Sequence, residues 1–246
     1  MINCIRLYRL YTSALVFSLL TSLGTQAEVR SFLGVNEISI NSAEGSLRFE
    51  KSTGNEFSID YTKKNYSERC SFNIDQDSAK VQISISKPLW KSFSVACEVD
   101  MLVRVPEGAA LVANLANGKM FASSLSGPTR LAGANIDIDL HGEFKRIAAS
   151  STSGQNIKKN FLARESSLRT IAGSIDVEVE GRKSAALLLR TVSGNAYVSS
   201  ELPSEVEFSS VSGALHREGT KAPNNQRLKV NFDSVSGSLF LKYSPV

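Results

Sequence analysis

Histidine and tryptophan are nearly missing from this chain of 246 residues, which has only His141, His216 and a single Trp90. With the two histidines far apart in sequence, no Ser-His-Asp or Cys-His grouping is legible, and the histidine-based zinc spacings are excluded. Nothing in the composition calls for a cofactor. Cysteine is as scarce, with three. Cys4 precedes the apolar run of the N-terminal leader instead of closing it, so it does not read as a lipid-attachment residue, and it departs with that leader. Cys70 and Cys97 remain. In an oxidising compartment they are expected to form a disulfide contributing about 3 to 4 kcal/mol on the chain-entropy model. A metal-binding thiol pair would need further ligands that the two distant histidines do not supply.

Long apolar runs are missing too, apart from one. Residues 1–27 read as a secretory signal peptide: a basic start (Arg6, Arg9), the apolar stretch Ala14-Leu-Val-Phe-Ser-Leu-Leu20 and the small-residue ending Thr25-Gln-Ala27. That stretch falls short of the ~20 apolar residues of a membrane span, and no later segment comes close. The mature chain is therefore expected to be exported, to the periplasm, outer surface or medium, without a transmembrane segment. Charge of one sign is also lacking. With Arg6 and Arg9 gone the formal net charge falls from +4 to +2, mixed along the chain, which gives no reason to expect nucleic acid as a partner.

What the chain does have is a repeat. Arg130-Leu-Ala-Gly133, Ser151-Thr-Ser-Gly154, Thr170-Ile-Ala-Gly173, Thr191-Val-Ser-Gly194, Ser210-Val-Ser-Gly213 and Ser234-Val-Ser-Gly237 follow one another at spacings of 21, 19, 21, 19 and 24 residues. A punctuating glycine at a period near twenty marks a stacked repeat architecture. Around each glycine the apolar residues alternate: Leu187, Leu189 and Thr191 before Gly194, Ala196 and Val198 after it. Each copy thus reads as strand, glycine corner, strand. Small Ser, Thr or Ala beside the corner suit a tight coil, and glycine there is expected to take a positive φ. The outward column two places before each glycine (Leu131, Thr152, Ile171, Val192, Val211, Val235) is nearly all β-branched.

These patterns predict an all-β, single-domain β-solenoid of two-strand rungs about 20 residues long, over residues 106–246. Residues 28–105 read as an irregular N-terminal β section carrying the disulfide, either wide rungs or a small cap over an otherwise open edge. At the other end Leu239-Phe-Leu-Lys-Tyr243 reads as the last rung, with Pro245 discouraging further pairing. The insertion Thr220-Lys-Ala-Pro-Asn-Asn-Gln-Arg227 explains the 24-residue spacing and is either a recognition loop or a neutral addition.

The run Val103-Arg-Val-Pro-Glu-Gly108, followed by the repeated Thr-Val-Ser-Gly and Ser-Val-Ser-Gly, resembles the bacterial "putative adhesin" family, a domain of unknown function. The match covers residues 103–243 well and 28–102 loosely. The resemblance implies an exported or envelope β-solenoid with an adhesive role, and its motifs specify the coil more than any chemistry.

Two functional classes follow. In the leading one the solenoid is not an enzyme and presents flat faces to a glycan, a surface or an envelope protein. A scaffold with no ligand of its own reads the same in sequence. The alternative is a polysaccharide-acting enzyme using carboxylates on the rung face. For it the repeat sets Asp137 over Asp176 and Asp139 over Glu178, with Lys158 between Asp137 and Asp176. The cation between the acids favours a solvated structural face instead. Trp90, in Lys87-Pro-Leu-Trp-Lys91, either stacks on a ligand from a loop or packs beneath the cap.

Overall fold

The computed structural model describes residues 27–88, 95–154, 157–179, 185–219 and 228–243. The leader, Trp90, the insertion 220–227 and Pro245 lie outside them. The described residues are strands and turns, and no helix among them is long and apolar enough to cross a membrane. The N-terminal section holds β1 (Ala27–Leu33), β2 (Glu37–Lys51), β3 (Glu56–Tyr66), β4 (Ser71–Asp77), β5 (Lys80–Ser86) and β6 (Cys97–Val105). The long strands β7 (Ala110–Ser123), β8 (Pro128–Ser151) and β9 (Ile157–Thr170) follow, then the short pairs β10 (Ile175–Val179) and β11 (Ala185–Thr191), β12 (Ala196–Ser200) and β13 (Ser204–Ser210), β14 (Leu215–Glu218) and β15 (Leu228–Ser234), and finally β16 (Leu239–Tyr243).

The fold is a β-solenoid, and its rungs stack in parallel on two faces. The first face runs from β5 through the front halves of β2 and β7 and the front of β8, then through the ends of β8 and β9 to β11, β15 and β13. The second runs from β6 through the rear halves of β2 and β7 and the middle of β8 to the start of β9, then to β10, β12, β16 and β14. Alternation explains each strand. In β11 Ala185, Leu187, Leu189 and Thr191 are buried; in β10 Ile175, Val177 and Val179 are buried while Asp176 and Glu178 face solvent. The resulting apolar core is continuous from Val35 to Leu241, with no break at residue 105.

The order of rungs departs from the order of the chain at both ends. β15–β16 slots between β11–β12 and β13–β14, so the expected final rung is the penultimate one. Composition gives the reason. The inner positions of β15–β16 are Leu228, Val230, Phe232, Leu239 and Leu241, all buried, whereas the inner column of β14 carries Arg217, opposite Leu241. Exchanging the two rungs would bury a guanidinium, at a cost of several kcal/mol. The long spacing between Gly213 and Gly237 coincides with this reversal. At the N-terminal end β5–β6 lies beyond β2, and β4 and β3 add to it antiparallel, with β1 antiparallel on β3. A disulfide joins Cys70, just before β4, to buried Cys97 at the start of β6, Cα atoms 5.8 Å apart.

The corners correct the expected role of glycine. None of Gly133, Gly154, Gly173, Gly194, Gly213 and Gly237 has a positive φ. Their requirement is space: a Cβ on Gly194 would sit 1.8 Å from the Gly173 carbonyl oxygen, one on Gly237 2.0 Å from that of Gly194, and one on Gly213 1.8 Å from that of Gly237. The ladder extends upstream through Gly154, Ile136, Gly118 and Gly45. Gly133 is not a member, since it pairs with Leu115, and Ile136 occupies its rung's place in the ladder. By the same slip Leu131 is buried, not outward. Inside the corner the hydroxyls of Ser151, Thr170, Thr191, Ser234 and Ser210 form one column. Thr191 Oγ1 donates to the Gly194 carbonyl at 2.8 Å and Ser210 Oγ to that of Gly237 at 3.2 Å, which satisfies corner acceptors that the narrow bend leaves without strand partners.

The outermost strand β1 carries a polar contact of its own. Tyr61, buried, donates to Glu28 at 2.5 Å. That bond, more than any other influence, holds the Glu28 carboxyl below its usual range, while burial first and the bond second raise the Tyr61 phenol. Burial raises Tyr66 as well. A raised folded value means that these phenols stabilise the fold fully below the ordinary tyrosine value of about 10 and cease to do so as pH climbs through the folded value.

Two outcomes are expected. Gly194→Ala should lower the melting midpoint by roughly 5 to 10 °C, equivalent to about 2 to 3 kcal/mol of overpacking, whereas Gly54→Ala, whose Cβ would meet nothing within 4 Å, should be near neutral in the same circular-dichroism melts. The midpoint should also fall above about pH 10, and Tyr61→Phe should flatten that alkaline fall.

Candidate functional site

Outward positions on the second face align along the stack. Pairing places Arg48, Phe121, Asp139 and Lys158 in one column, and Asp176, Tyr197, Phe240 and His216 in its continuation. Since Ile157 pairs with Ile175 and Asn160 with Glu178, Lys158 falls opposite Asp176. The result is a stripe of aromatic and charged groups that repeats every ~4.8 Å.

In its upstream half the Arg48 guanidinium lies 4.6 Å above the Phe121 ring, and His141 Nε2 sits 2.9 Å from Asp139 Oδ1. His141 also flanks Phe121, ring centroids 5.2 Å apart. The downstream half is a ring stack: Tyr197 on Phe240 at 4.9 Å and 12° from parallel, and His216 on Phe240 at 4.6 Å and 8°. In-register strands impose this spacing, and each such pair adds about 0.5 to 1.5 kcal/mol beyond burial. Beside the stack lies a depression of about 370 Å³ lined by Asp176, Tyr197, His216, Glu218, Phe240 and Lys242. That volume is at the small end of the range for small-molecule sites, about 300–1,000 Å³. The first face carries a broader groove over Ala148, Ser167 and Leu188.

The carboxylates are arranged differently from the sequence expectation. Asp139, not Asp137, shares a column with Asp176, and His141, not Asp139, shares one with Glu178 through Asn160. Asp137 pairs with Lys119. The slip of two residues follows from the corner: Ile138 lies five residues after Gly133, its partner Ile157 three after Gly154, and Ile175 two after Gly173. Trp90 is outside the described residues. Among the described residues no group of three His, Cys, Asp or Glu side chains could hold a metal ion. The ring stack was missed in sequence because Tyr197, Phe240 and His216 come from rungs whose spatial order differs from their chain order. The signal available was that each stands three residues after a repeat glycine (Gly194, Gly237, Gly213).

This chain, a two-faced stack with glycine at most of its corners, is matched by the family model of Toastrack DUF4097 over residues 35–244. The chain belongs to the Toastrack DUF4097 family. The Toastrack match begins after β1 and takes in the rest of the described fold. Three solved structures are similar. A putative cell adhesion protein from Clostridium sporogenes ATCC 15579 is 14% identical, over 90% of this chain and 100% of that one, with a TM-score of 0.37. A putative adhesin from Bacteroides fragilis NCTC 9343 is 11% identical over 90% and 98%, TM-score 0.46. A putative lipid binding protein from Parabacteroides distasonis ATCC 8503 is 13% identical over 87% and 96%, TM-score 0.38. No curated protein matches the sequence.

Phe240→Ala removes the middle of the ring stack and should destabilise the chain by about 1 to 3 kcal/mol, whereas Phe240→Tyr should be near neutral; chemical denaturation measures both.

Proposed function

We propose that the chain is an exported, non-enzymatic binding protein of the cell envelope whose second face holds a linear ligand, with a glycan as the class that fits best. The observation that carries this reading is the stripe itself. A polysaccharide repeats along one line, and so do Phe121, Asp139, Asp176, Tyr197 and Phe240 on a flat face. Tyr197 has a ring on one side, Phe240, and the shorter Asp176 on the other. A sugar ring resting there would meet an aromatic face and a carboxylate acceptor together, the pairing that recognises a pyranose with its hydroxyls. The exported state rests on the leader, and the division into leader 1–27, N-terminal section 28–105 and repeats 106–246 belongs to the same proposal.

The enzyme alternative has one observation in its favour. Asp139 and Asp176 stand two rungs apart, about 9 to 10 Å at sheet spacing, near the separation of an inverting glycosidase pair. Against it, such a pair needs one carboxyl kept protonated by burial or by a close like charge. Here Asp176 is exposed, and Asp139 is only half-buried with His141 Nε2 2.9 Å from its Oδ1.

Protease shaving of intact cells, with a periplasmic control, tests the location, and glycan-array binding tests the face. Surface exposure with binding that falls about tenfold in Tyr197→Ala and Asp176→Asn is expected. Protection until the envelope is opened removes the adhesive role. Turnover of a polysaccharide, lost in Asp139→Asn, would establish the enzyme instead.

A further inference from the structure

The last rung of the stack, β13 with β14, is only half covered. Among the described residues β13 pairs with β15 alone and β14 with β16 alone, so each presents an open edge. Val206, Phe208 and Leu215 on its inner side are half-buried, whereas their register partners Val230, Phe232 and Leu239 are buried. Phe208 rests one ring face on Phe232, centroids 5.6 Å apart and 10° from parallel. At the corner Val211 is 84% exposed, against 45% for Val192 and 52% for Val235. Natural edge strands are commonly guarded by inward charges. β1 at the opposite end has them in Glu28 and Arg30, opposite Tyr61 and Ile59. β13 has none, because Glu205 and Glu207 both point outward.

The geometry points to a second copy of this chain as the occupant of that end, docked head to head about a two-fold axis, with β13 antiparallel to its own counterpart and centred on Phe208. Two open edges bracket one apolar cross-section, and a single extended peptide would satisfy only one of them. A coil end supplies both. Charge narrows the register, and apolar area favours Phe208 at its centre. Centred on Phe208, the pairing sets Glu207 against Ser209 and Glu205 against the exposed Val211, with Phe208 against Phe208. Centring on Glu207 opposes that acid to itself, and centring on Val206 opposes Glu205 to Glu207, arrangements that like-charge repulsion disfavours. Arg217 in the inner column of β14 discourages that strand from leading, so β13 leads the contact. Seven residues at ~3.3 Å each, across two sheets ~10 Å apart with their side chains, give an end of roughly 400 Å² per copy. About 800 Å² in all is below the size of a standard stable interface, so the dimer is weak and forms only at high concentration.

Sedimentation velocity on the purified exported chain, disulfide intact, tests this from about 5 to 500 µM. A monomer at the low end and a growing share of twice its mass at the high end are expected. Val206→Lys restores the missing inward charge at a half-exposed position and should abolish the larger species while the melting midpoint stays within a few degrees. Phe208→Cys places one thiol opposite its own copy, at the ~4.5–5.5 Å Cα spacing of antiparallel pairs, and should yield a covalent dimer on mild oxidation even if the lysine variant misfolds. A monomer throughout, species larger than a dimer, or a dimer that survives Val206→Lys would overturn the proposal.

Discussion

At the corners of this molecule, neighbouring backbones leave no room for a side chain between them. Successive rungs approach until the place of a Cβ on one is filled by the carbonyl oxygen of the one before it in the stack, from Gly154 through Gly173, Gly194 and Gly237 to Gly213. Everything else is arranged around that distance. The bend is tight enough to bring the two faces over one shared apolar core, to turn Thr191 and Ser210 inward onto carbonyls, and to hold neighbouring strands in register over their full length. Register in turn fixes which outward side chains meet. The ring stack of Tyr197, Phe240 and His216 is therefore a consequence of the corner.

The repeat made the coil legible because its small residues and its alternation answer to one geometric need. The phase was harder to read. Gly133 looks like the other repeat glycines, yet Ile136 holds that place in the ladder, so the rung's outward residues shift by two and Asp139, not Asp137, joins Asp176. Sequence also could not show that β15–β16 enters beside β11–β12. Adjacent copies are interchangeable in their corner residues, and inner-column contrasts such as Leu241 against Arg217 and Leu228 against Ser204 distinguish the inner rung from the outer one. Upstream, Gly45 and Gly118 belong to the same ladder, but their surroundings lack the Ser-Gly pattern that marks the later copies.

A flat, solvent-facing stripe constrains chemistry as much as it permits it. Bulk water reaches Asp176 and Tyr197, so charges there act at high dielectric and individually contribute little. Recognition on such a surface comes from the number of aligned contacts rather than from any one of them. Periodicity lines up weak local contacts along one direction, with the shallow depression beside the ring stack at one end.

The inserted final rung has a bearing on how the chain reaches this state. A solenoid whose rungs stack in chain order can grow at one end as each segment becomes available. Here, among the described residues, β13 and β14 have their strand partners only in β15 and β16, which follow them in the chain. The penultimate segment must wait, unpaired, for the ultimate one. Loss of β15 and β16 would therefore not shorten the stack by one layer; it would remove an interior layer and strand the one beyond it, so an outer layer is secured only once a later segment has filled the place beneath it.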